Sequence, residues 1–445
     1  MTRVLLVSHD PIGRRMAGPG IRYLHFAREL ARGGFEVVLM VPGAPDIELD
    51  GIEVLQAARF PSRRFVRLAS GFDAVVAQQL APWTMRALAR TDAKVVYDLY
   101  DPLLIETLPL FAEHAGGHRE SGYGSVARTQ LVALATGDAF VCASERQRDL
   151  WLGALAALGR IDVASYAADP TLRGLVDVVP FGLEAEPPAP GPPALKGVVP
   201  GIEEGDRVLL WAGGIWSWFD PLTVIHAVGR LARDRDDVKL YFLGTRHPKP
   251  SVGEMPMAAR AAGLAAELGL LDRHVFFNRG WVDYAERGRY LLESDLGVSA
   301  HFDNAETRFA FRTRLLDHFW AGLPTVTTRG DVLAGLVGEQ GLGAVVPYED
   351  PGAYAEAIAG LLDDGERYGE ARRNLERVRA ELAWPAVVRR LAAVVGSPAA
   401  VRPARGSARL VLESSWLGLR SSLGEEGARA TVVRALEAIR HPRVP

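Results

Sequence analysis

Short aliphatic and β-branched runs alternate with amphipathic helical patterns along most of the 445-residue chain, and this alternation constrains the fold more than any other feature. It predicts parallel strands joined by crossover helices. In the first half the strand-like runs are RVLLVS, FEVVLMV, DAVVAQ, KVVYDL and DAFVCAS, and the helical pattern IRYLHFARELARGG follows the first of them. In the second half they are RVLLWAGG, VKLYFLG, HVFFNRGWV, LGVSA, PTVTT and GAVVP. We therefore predict an α/β fold with two Rossmann-like, doubly wound domains facing a cleft.

A proline-rich break, EAEPPAPGPPALKG, separates the two series. Its proline density excludes regular helix or sheet and is typical of a semi-rigid linker. We expect an N-terminal domain at residues 1–183, the linker at 184–205 and a second α/β domain at 206–382. Residues 383–445 are expected to form C-terminal helices and a tail that packs back on the N-terminal domain. For the tail, a packed surface helix, membrane-surface contact and homo-oligomerisation remain alternatives.

Composition limits the class of partner. The formal net charge of -3 gives no global attraction to nucleic acid, so no nucleic-acid partner is expected. The single cysteine, Cys142, lies in a strand-like run, which predicts a buried thiol and fits a reducing cytoplasm. The first apolar run is too short for a signal peptide, and no stretch approaches the ~20 apolar residues that span a bilayer. We expect a cytoplasmic protein without a transmembrane segment, with peripheral membrane contact left open.

Glycines follow the first strand-like run of each half. Gly18 and Gly20 lie in MAGPGIRY, and Gly213 and Gly214 lie in WAGGIWSWFDP. Glycine lets backbone approach a ligand closely, and a helix that follows offers free N–H groups to an anion. The spacing is not the G-x-G-x-x-G of dinucleotide sites. A sharp turn without a ligand is the alternative for the first pair.

Aromatic and basic residues follow several of the predicted strands. Trp216 and Trp218 stand in a polar, loop-like context, which indicates either a binding site or core packing between the domains. Arg246 is expected to contact phosphate or to be a solvated loop residue. Trp281 is expected to flank a flat base or to pack in the core. Asp220, before a proline, predicts a helix N-cap.

The stretch FAFRTRLLDHFWAGLP places Arg312 and Arg314 on either side of Thr313 at the start of a helical pattern. Cations at a helix N-terminus are unfavourable unless an anion lies close by. A diphosphate there would receive backbone N–H bonds, dipole attraction and bidentate arginine contacts. The arrangement therefore predicts a nucleotide diphosphate site.

Neighbouring polar groups complete this predicted site. The Thr313 hydroxyl is expected to cap the helix or to bind an oxygen. Asp317, just over one turn further, is expected to accept hydrogen bonds from a ribose diol. Simple surface ion pairing, for example between Glu306 and Arg308, is the alternative.

These motifs resemble those of the retaining glycosyltransferases of family 4, which have the two-domain GT-B fold. The resemblance covers about Arg3 to Val395. VVPFGL resembles the segment that closes the first domain, RVLLWAGGIW the second domain's opening strand and donor loop, and PYEDPGAYAEAIAGLLDD a later helix. LLDHFWAGLPTVTT resembles the most diagnostic stretch. By that match Asp317 takes the place of the glutamate that binds the nucleotide ribose.

The chain departs from the family pattern at the donor site. The first of the family's two glutamates falls on Phe309, and we expect Glu306 to supply a carboxylate from a shifted loop. Gly214 and Phe219 stand near the places of the family's phosphate-binding arginine and lysine. We expect Arg312 and Arg314, the predicted diphosphate ligands, to replace that charge.

A third departure lies in the first domain. The family's histidine after the fifth strand falls on Tyr100, which leaves Asp98 and Asp101 as nearby polar groups. A subfamily with a rearranged donor site explains all three departures. A noncatalytic relative is the alternative.

The resemblance implies metal-independent, retaining transfer of a hexose-like sugar from a nucleotide diphosphate sugar, with no cofactor beyond that co-substrate. The acceptor is a cell-envelope or lipid-linked glycan or a small natural product. We expect Asp101 and Glu306 to contact sugar or acceptor, and the arginine pair and the amides around Gly213 and Gly214 to stabilise the departing diphosphate. A sugar-nucleotide epimerase or hydrolase and a nucleotide-sugar-binding pseudoenzyme are the alternatives.

Overall fold

The computed structural model describes residues 1–112, 118–245, 255–278 and 280–398, together with Leu412 and Trp416. Within these residues the chain divides into two compact units. The first unit contains Met1–Gly13, Gly18–Pro180 and the described chain from Val387 onward. The second contains Arg14–Ala17 and Phe181–Ala386.

The first unit is built on a parallel sheet of seven strands in the order β3-β2-β1-β4-β5-β6-β7. The strands are β1 (Arg3–Val7), β2 (Glu36–Val41), β3 (Glu53–Gln56), β4 (Ala74–Ala77), β5 (Lys94–Asp98), β6 (Ala139–Cys142) and β7 (Val176–Val178). The helices are α1 (Gly18–Arg32), α2 (Ser62–Ala69), α3 (Pro82–Leu88), α4 (Leu103–Ala112), α5 (His118–Thr136), α6 (Glu145–Ala157) and α7 (Val163–Ala168).

The second unit has a parallel sheet of six strands in the order β10-β9-β8-β11-β12-β13. The strands are β8 (Arg207–Trp211), β9 (Val238–Phe242), β10 (Val275–Phe277), β11 (Leu296–Ser299), β12 (Thr325–Thr328) and β13 (Gly343–Val346). The helices are α8 (Pro221–Leu231), α9 (Pro256–Glu267), α10 (Arg287–Leu292), α11 (Ala305–Phe309), α12 (Arg314–Trp320), α13 (Val332–Gln340), α14 (Pro351–Leu362), α15 (Gly365–Leu382) and α16 (Trp384–Gly396). The last of these begins in the second unit and ends in the first.

Strand order locates the expected ligand crevice within each unit. Parallel strands covered on both faces are buried, and accordingly β4, β5, β6, β9, β11 and β12 are buried along their whole length. Both sheets are doubly wound, which confirms the predicted fold class. The order reverses between β1 and β4 in the first unit and between β8 and β11 in the second. Ligands of open α/β sheets bind at such reversals, beyond the carboxyl ends of the strands.

Two edge strands, β3 and β7, were missed by the sequence reasoning. β3 is EVLQ and is only half-buried, and β7 is the three-residue VDV. Neither forms the continuous apolar run that marks a central strand. The C-terminal helices are separated at a proline: α15 ends at Leu382, and Pro385 lies in the first turn of α16, where proline is tolerated.

The proline-rich segment has no regular helix or strand, as predicted, but it packs on the second unit instead of forming a detached linker. The Glu293 carboxylate accepts hydrogen bonds from the backbone N–H groups of Ala194, Leu195 and Lys196 at 2.6–2.9 Å. Arg289 donates to the Pro192 carbonyl at 2.7 Å. Proline leaves carbonyls without local N–H partners, and side chains of α10 and the residue after it supply part of the bonding.

The remaining expectations of the sequence concern Cys142 and membrane spans. Cys142 is fully buried, and burial raises the pKa of its thiol to about 12, which confirms the predicted structural thiol. Among the described residues, no helix combines the length and the apolar character needed to cross a bilayer. The predicted tail helix ATVVRALEAIR lies outside the described residues.

Candidate functional site

The loops that follow β8 and β11 are joined at the strand-order reversal of the second unit. The Asp220 N–H donates to the Ala300 carbonyl at 2.9 Å, and Phe219 forms an antiparallel bridge with His301. The Asp220 carboxylate accepts from the Thr223 N–H at 3.0 Å and so caps α8, which confirms the predicted N-cap. These bonds hold the two loops at a fixed separation.

The buried ring of Phe219 is the platform of this site. Both predicted arginines stack on it, with guanidinium carbons 3.9 Å (Arg314) and 4.9 Å (Arg312) from the ring centroid. Arg314 also lies 4.7 Å from the Trp211 ring. The structure therefore brings Arg312 and Arg314 together, as expected from their spacing. In the sequence Phe219 stands out only as a departure from a family pattern, and its role as the ring on which both arginines stack was not predicted.

The two guanidiniums on this ring have different partners. Arg312 donates to the buried Glu306 carboxylate. Glu306 therefore pairs with Arg312 and not with Arg308, which was the alternative. Arg314 donates to the Gly214 carbonyl at 2.9 Å. Within the described residues, no carboxylate lies within ion-pair distance of Arg314, although only 8% of the residue is exposed. Burial, followed by the neighbouring Arg312 charge, lowers the pKa of Arg314 well below its usual range.

Several buried polar atoms near the two loops have no hydrogen-bond partner in the described protein. Most buried polar groups in proteins are bonded, so a concentration of unbonded ones needs an explanation. An anion that accepts from both guanidiniums would satisfy two of them. The atoms are Ser217 Oγ, Asp220 Oδ2, Arg312 Nε, Arg314 Nη1 and Asp331 Oδ2.

Two further buried groups, His301 and Asp331, follow β11 and β12 and were not found from the sequence. Burial and the charges of the two arginines lower the pKa of His301 well below its usual range, so its imidazole is neutral. Its ring nitrogens lie 3.2 Å from the hydroxyls of Ser299 and Thr328. Asp331 accepts from the Leu333 N–H at 2.8 Å at the start of α13, and burial raises its pKa to about 6. The signal available in sequence was a glycine-aspartate pair before a helical pattern.

The glycine loop after β8 supports the arginines from the other side. Gly213 has a φ of +110°, and the Gly214 carbonyl is the acceptor for Arg314. A Cβ placed on Gly214 would lie 3.5 Å from a ring carbon of Trp281 and 3.6 Å from the indole nitrogen of Trp216. Gly214, Trp216 and Trp281 therefore lie together. Arg246, for which phosphate contact was one expectation, lies outside the described residues.

The two tryptophans of this loop stack on each other. The Trp216 and Trp218 ring centroids are 5.1 Å apart with an interplanar angle of 8°, and both residues are half-buried. Trp218 also meets Phe219 edge-on at 6.0 Å. The pair extends the aromatic surface under the arginines towards solvent.

Thr313 and Asp317 are placed differently from expectation. The Thr313 side chain makes no capping hydrogen bond at the start of α12, so the expected cap is wrong, and its hydroxyl is half-buried. Asp317 accepts from Arg287 at 3.0 Å, and the same guanidinium donates to Glu184 at 3.1 Å. Burial raises the pKa of Asp317, and the Arg287 charge opposes that rise. Arg287 was missed from the sequence.

In the first unit, Gly18 and Gly20 lie in the first turn of α1, so the helix starts three residues earlier than predicted and the glycines do not form a preceding turn. Asp101 follows β5 and accepts from the Gln78 side chain at 3.1 Å. Burial and the Asp98 charge raise the pKa of Asp101 to about 7. Asp98 itself is fully paired with a buried arginine of α1 at 2.7 and 2.9 Å.

Comparison with known sequences finds a family match in the second unit. Residues 206–364 match the family described as "Glycosyl transferases group 1". D-inositol 3-phosphate glycosyltransferase 2 of Catenulispora acidiphila is 26% identical over 224 residues, which is 50% of this chain and 50% of that protein. The chain thus spans about half the length of the curated relative it matches.

Comparison with solved structures covers both units. Sucrose-phosphate synthase of Thermosynechococcus elongatus superposes with a TM-score of 0.62 at 17% identity, over 88% of this chain and 97% of that one. Anabaena HepE in complex with UDP-glucose superposes with a TM-score of 0.62 at 14% identity, over 88% and 98%. WaaG, a glycosyltransferase involved in lipopolysaccharide biosynthesis, gives 0.61 at 16% identity, over 88% and 100%. The chain has the GT-B fold, and the match in its second unit supports a glycosyltransferase.

Proposed function

We propose that this chain transfers a sugar from a nucleotide diphosphate sugar to an acceptor hydroxyl. The observation that carries the proposal is the pair of buried guanidiniums, Arg312 and Arg314, which stack on one phenylalanine. Among the described residues, only Arg312 of the two has a carboxylate within ion-pair distance. A diphosphate accepts hydrogen bonds from both, and each charge-assisted bond contributes roughly 1.5–3 kcal/mol. An anion bound between the two arginines attracts both of them, and this attraction offsets their mutual Coulomb repulsion.

The same groups account for catalysis. As the sugar–oxygen bond breaks, negative charge grows on the diphosphate, and preoriented guanidiniums stabilise it without reorganisation. Glu306 holds Arg312 in place through its ion pair, so we propose an orienting role for it in place of the sugar contact expected from sequence. A Cβ on Gly213 would meet nothing within 4 Å, so backbone amides of this loop are open to a ligand.

The finer assignments rest on the motifs in LLDHFWAGLPTVTT. We propose membership of family 4 and transfer with retention of anomeric configuration. In that reaction the acceptor approaches the face from which the diphosphate leaves, and a leaving phosphate oxygen takes the acceptor proton. Asp101 is the proposed acceptor or sugar contact of the first unit, because it follows β5 next to the strand-order reversal, and burial and the Asp98 charge raise its pKa to about 7. A uridine donor is the first to test, since Anabaena HepE was solved with UDP-glucose.

A binding protein without turnover is the second candidate, and Phe309 favours it by standing where the family has its first glutamate. The two candidates share a donor site and differ in catalysis. Release of UDP from a UDP-sugar, with transfer to an added acceptor, separates them. Binding without release would support the pseudoenzyme.

The donor site is tested by thermal unfolding with a panel of nucleoside diphosphates and sugar nucleotides on three proteins: wild type, Arg314→Met and Arg308→Met. A ligand at 100 times its dissociation constant stabilises the wild type by about 2.7 kcal/mol. Arg314→Met replaces a buried cation without an ion-pair partner by an apolar side chain. Because no ion pair offsets the cost of burying this charge, its removal should not destabilise the chain, and the free variant should unfold no earlier than the wild type.

The expected result is that Arg314→Met stays folded but loses the nucleotide-dependent shift. Arg308 is exposed on α11, and its variant controls for loss of one positive charge in the same segment. If no nucleotide shifts the wild type, or if the Arg308 and Arg314 variants behave alike, the donor site is not at Arg312 and Arg314.

A further inference from the structure

Helix α2 of the first unit carries arginines on one side only. Arg63, Arg64 and Arg67 are exposed, whereas Phe65 and Ala69 are buried. At 100° per residue the three arginines fall within about a third of a turn, opposite the two buried residues. The buried side fixes α2 to the core, so its orientation presents the arginines to solvent.

Helix α3 adds an aromatic ring to the same surface. Trp83 is 50% exposed, and the Arg86 guanidinium lies 5.9 Å from its ring centroid. The buried Thr84 donates to the Ser62 hydroxyl at 2.8 Å, which ties the start of α3 to the start of α2. We name the surface formed by both helices the α2–α3 basic face. Its residues are Arg63, Arg64, Arg67, Trp83, Arg86 and Arg90.

The face carries positive charge only. Residues 57–72 and 78–91, which include its five arginines, contain no aspartate or glutamate, although the whole chain has a net charge of -3. Within the described residues, Arg63, Arg67 and Arg90 form no ion pair with a carboxylate. An exposed indole costs free energy in water, and here it lies next to the Arg86 guanidinium in a stretch of sequence without acidic residues.

We propose that the α2–α3 basic face binds the surface of an anionic membrane. Arginines near such a surface gain attraction to lipid phosphates, and a half-exposed tryptophan is placed favourably at the level of the head groups. The face lies on the outer sides of two helices and has one exposed ring. Single-stranded nucleic acid instead binds grooves in which successive bases stack on several rings. The proposal does not depend on the donor site, since the two share no residue.

The test is flotation of the full chain with vesicles of phosphatidylcholine alone or mixed with phosphatidylglycerol. The wild type should bind the mixed vesicles and not the neutral ones, and binding should weaken as salt rises. Each arginine near the surface strengthens binding roughly fivefold, so Arg63→Ala/Arg64→Ala/Arg67→Ala should weaken partitioning roughly a hundredfold.

A matched control removes three exposed arginines elsewhere, at positions 372, 373 and 377 of α15, and should leave vesicle binding within about twofold of wild type. Trp83→Phe should lose the quenching of tryptophan fluorescence that brominated acyl chains cause in the wild type. Because these side chains are exposed, thermal unfolding of all variants should match that of the wild type, which the same samples check.

Three outcomes would overturn the proposal. The wild type does not float with anionic vesicles, or the α15 control weakens binding as much as the α2 variant does. The third is that a labelled oligonucleotide binds through the α2 arginines while vesicles do not, which would make the face a nucleic-acid site. Trp83→Ala provides a second variant, and an unchanged partition coefficient there also contradicts the proposal.

Discussion

Two aspartates at the carboxyl end of β5 differ in their charged partners: Asp98 is the last residue of the strand, and Asp101 lies in the loop that follows. Asp98 is fully buried and both its oxygens are bonded to Arg22. Asp101, three residues later, accepts a hydrogen bond from the Gln78 amide at 3.1 Å and has no arginine partner of its own among the described residues. Burial and the Asp98 charge therefore raise the pKa of Asp101 to about 7. One carboxylate is a structural ion-pair partner, and the other is poised to exchange a proton near neutral pH.

Asp101→Asn should change how stability depends on pH. Between the ordinary aspartate value of 3.8 and about 7, the folded wild type holds a proton that the unfolded chain has lost. Wild-type stability therefore falls as pH rises through this window, and asparagine removes that fall. We expect the free energy of unfolding of the variant, relative to wild type, to rise by about 1–2 kcal/mol from pH 4 to 7.5, after allowing for solvent screening at a half-buried site.

Urea unfolding at several pH values measures this difference. The two proteins should have equal m-values, so that only the midpoints differ. A difference that stays constant with pH would show that Asp101 is ionised in the folded protein from pH 4 to 7.5. The carboxyl would then not exchange a proton near neutral pH. Nucleotide binding should be the same in both proteins, because Asp101 lies in the first unit.

The loop between β8 and α8 depends on backbone conformation at one residue. Gly213 has a φ of +110°, which side chains with a Cβ rarely adopt, whereas Gly214 does not have a positive φ. A Cβ on Gly213 would meet nothing, and one on Gly214 would make ordinary contacts at 3.5 Å and beyond. Comparing an alanine substitution at Gly213 with one at Gly214 therefore separates the effect of backbone strain from the effect of side-chain crowding.

Gly213→Ala should destabilise the chain by about 1–3 kcal/mol through strain alone. It should also weaken nucleotide binding, because relief of the strain moves the Gly214 carbonyl that holds Arg314. Gly214→Ala is the matched control and should leave thermal unfolding nearly unchanged. Equal unfolding midpoints for the two variants would contradict the strain at Gly213.

The packing of α12 on β11 shows what local patterns do not reveal. A Cβ on Gly297 would lie 2.3 Å from the imidazole of His318, so the glycine in LGVSA makes room for a buried ring of α12. Burial lowers the pKa of His318 to about 3, and its Nδ1 lies 3.3 Å from the Thr325 hydroxyl. The sequence marks the strand and the helix clearly, but the contact between them joins residues far apart in the chain.

Several central strands could be predicted because they are continuous apolar runs, as in AVVA of β4 and AFVC of β6. The pairing of Arg312 and Arg314 at one site could be predicted because two cations at the start of a helix are locally unfavourable without an anion nearby. The residues that surround this pair could not be predicted, because they come from distant parts of the chain. Phe219 lies about 90 residues before the arginines that stack on it, and Arg287 lies 30 residues before the aspartate that it binds.

The same limit applies to the proline-rich segment. Its composition predicts the absence of regular structure, which is correct, but the Glu293 carboxylate that binds its amides is about 100 residues away. Patterns within one segment determine its own conformation. Partners that arrive from other segments depend on tertiary packing.

At the level of the whole chain, the source of positive charge for the leaving diphosphate decides whether a metal ion is required. The described second unit supplies two guanidiniums at one ring, and only Arg312 of the two has a carboxylate partner. These cations can do the electrostatic work that a divalent ion does at other phosphate sites. We therefore expect sugar transfer to proceed at the same rate in excess EDTA as in untreated enzyme.

The comparison with Arg314→Met completes this prediction. Loss of one preoriented donor to the developing charge typically lowers turnover by about 10²–10³-fold, and added Mg²⁺ should not restore it. Initial rates of UDP release, with and without EDTA and for both proteins, measure all four values. Loss of wild-type turnover in EDTA, with recovery on adding Mg²⁺ or Mn²⁺, would mean that the arginines bind the diphosphate alongside a metal ion and do not replace it.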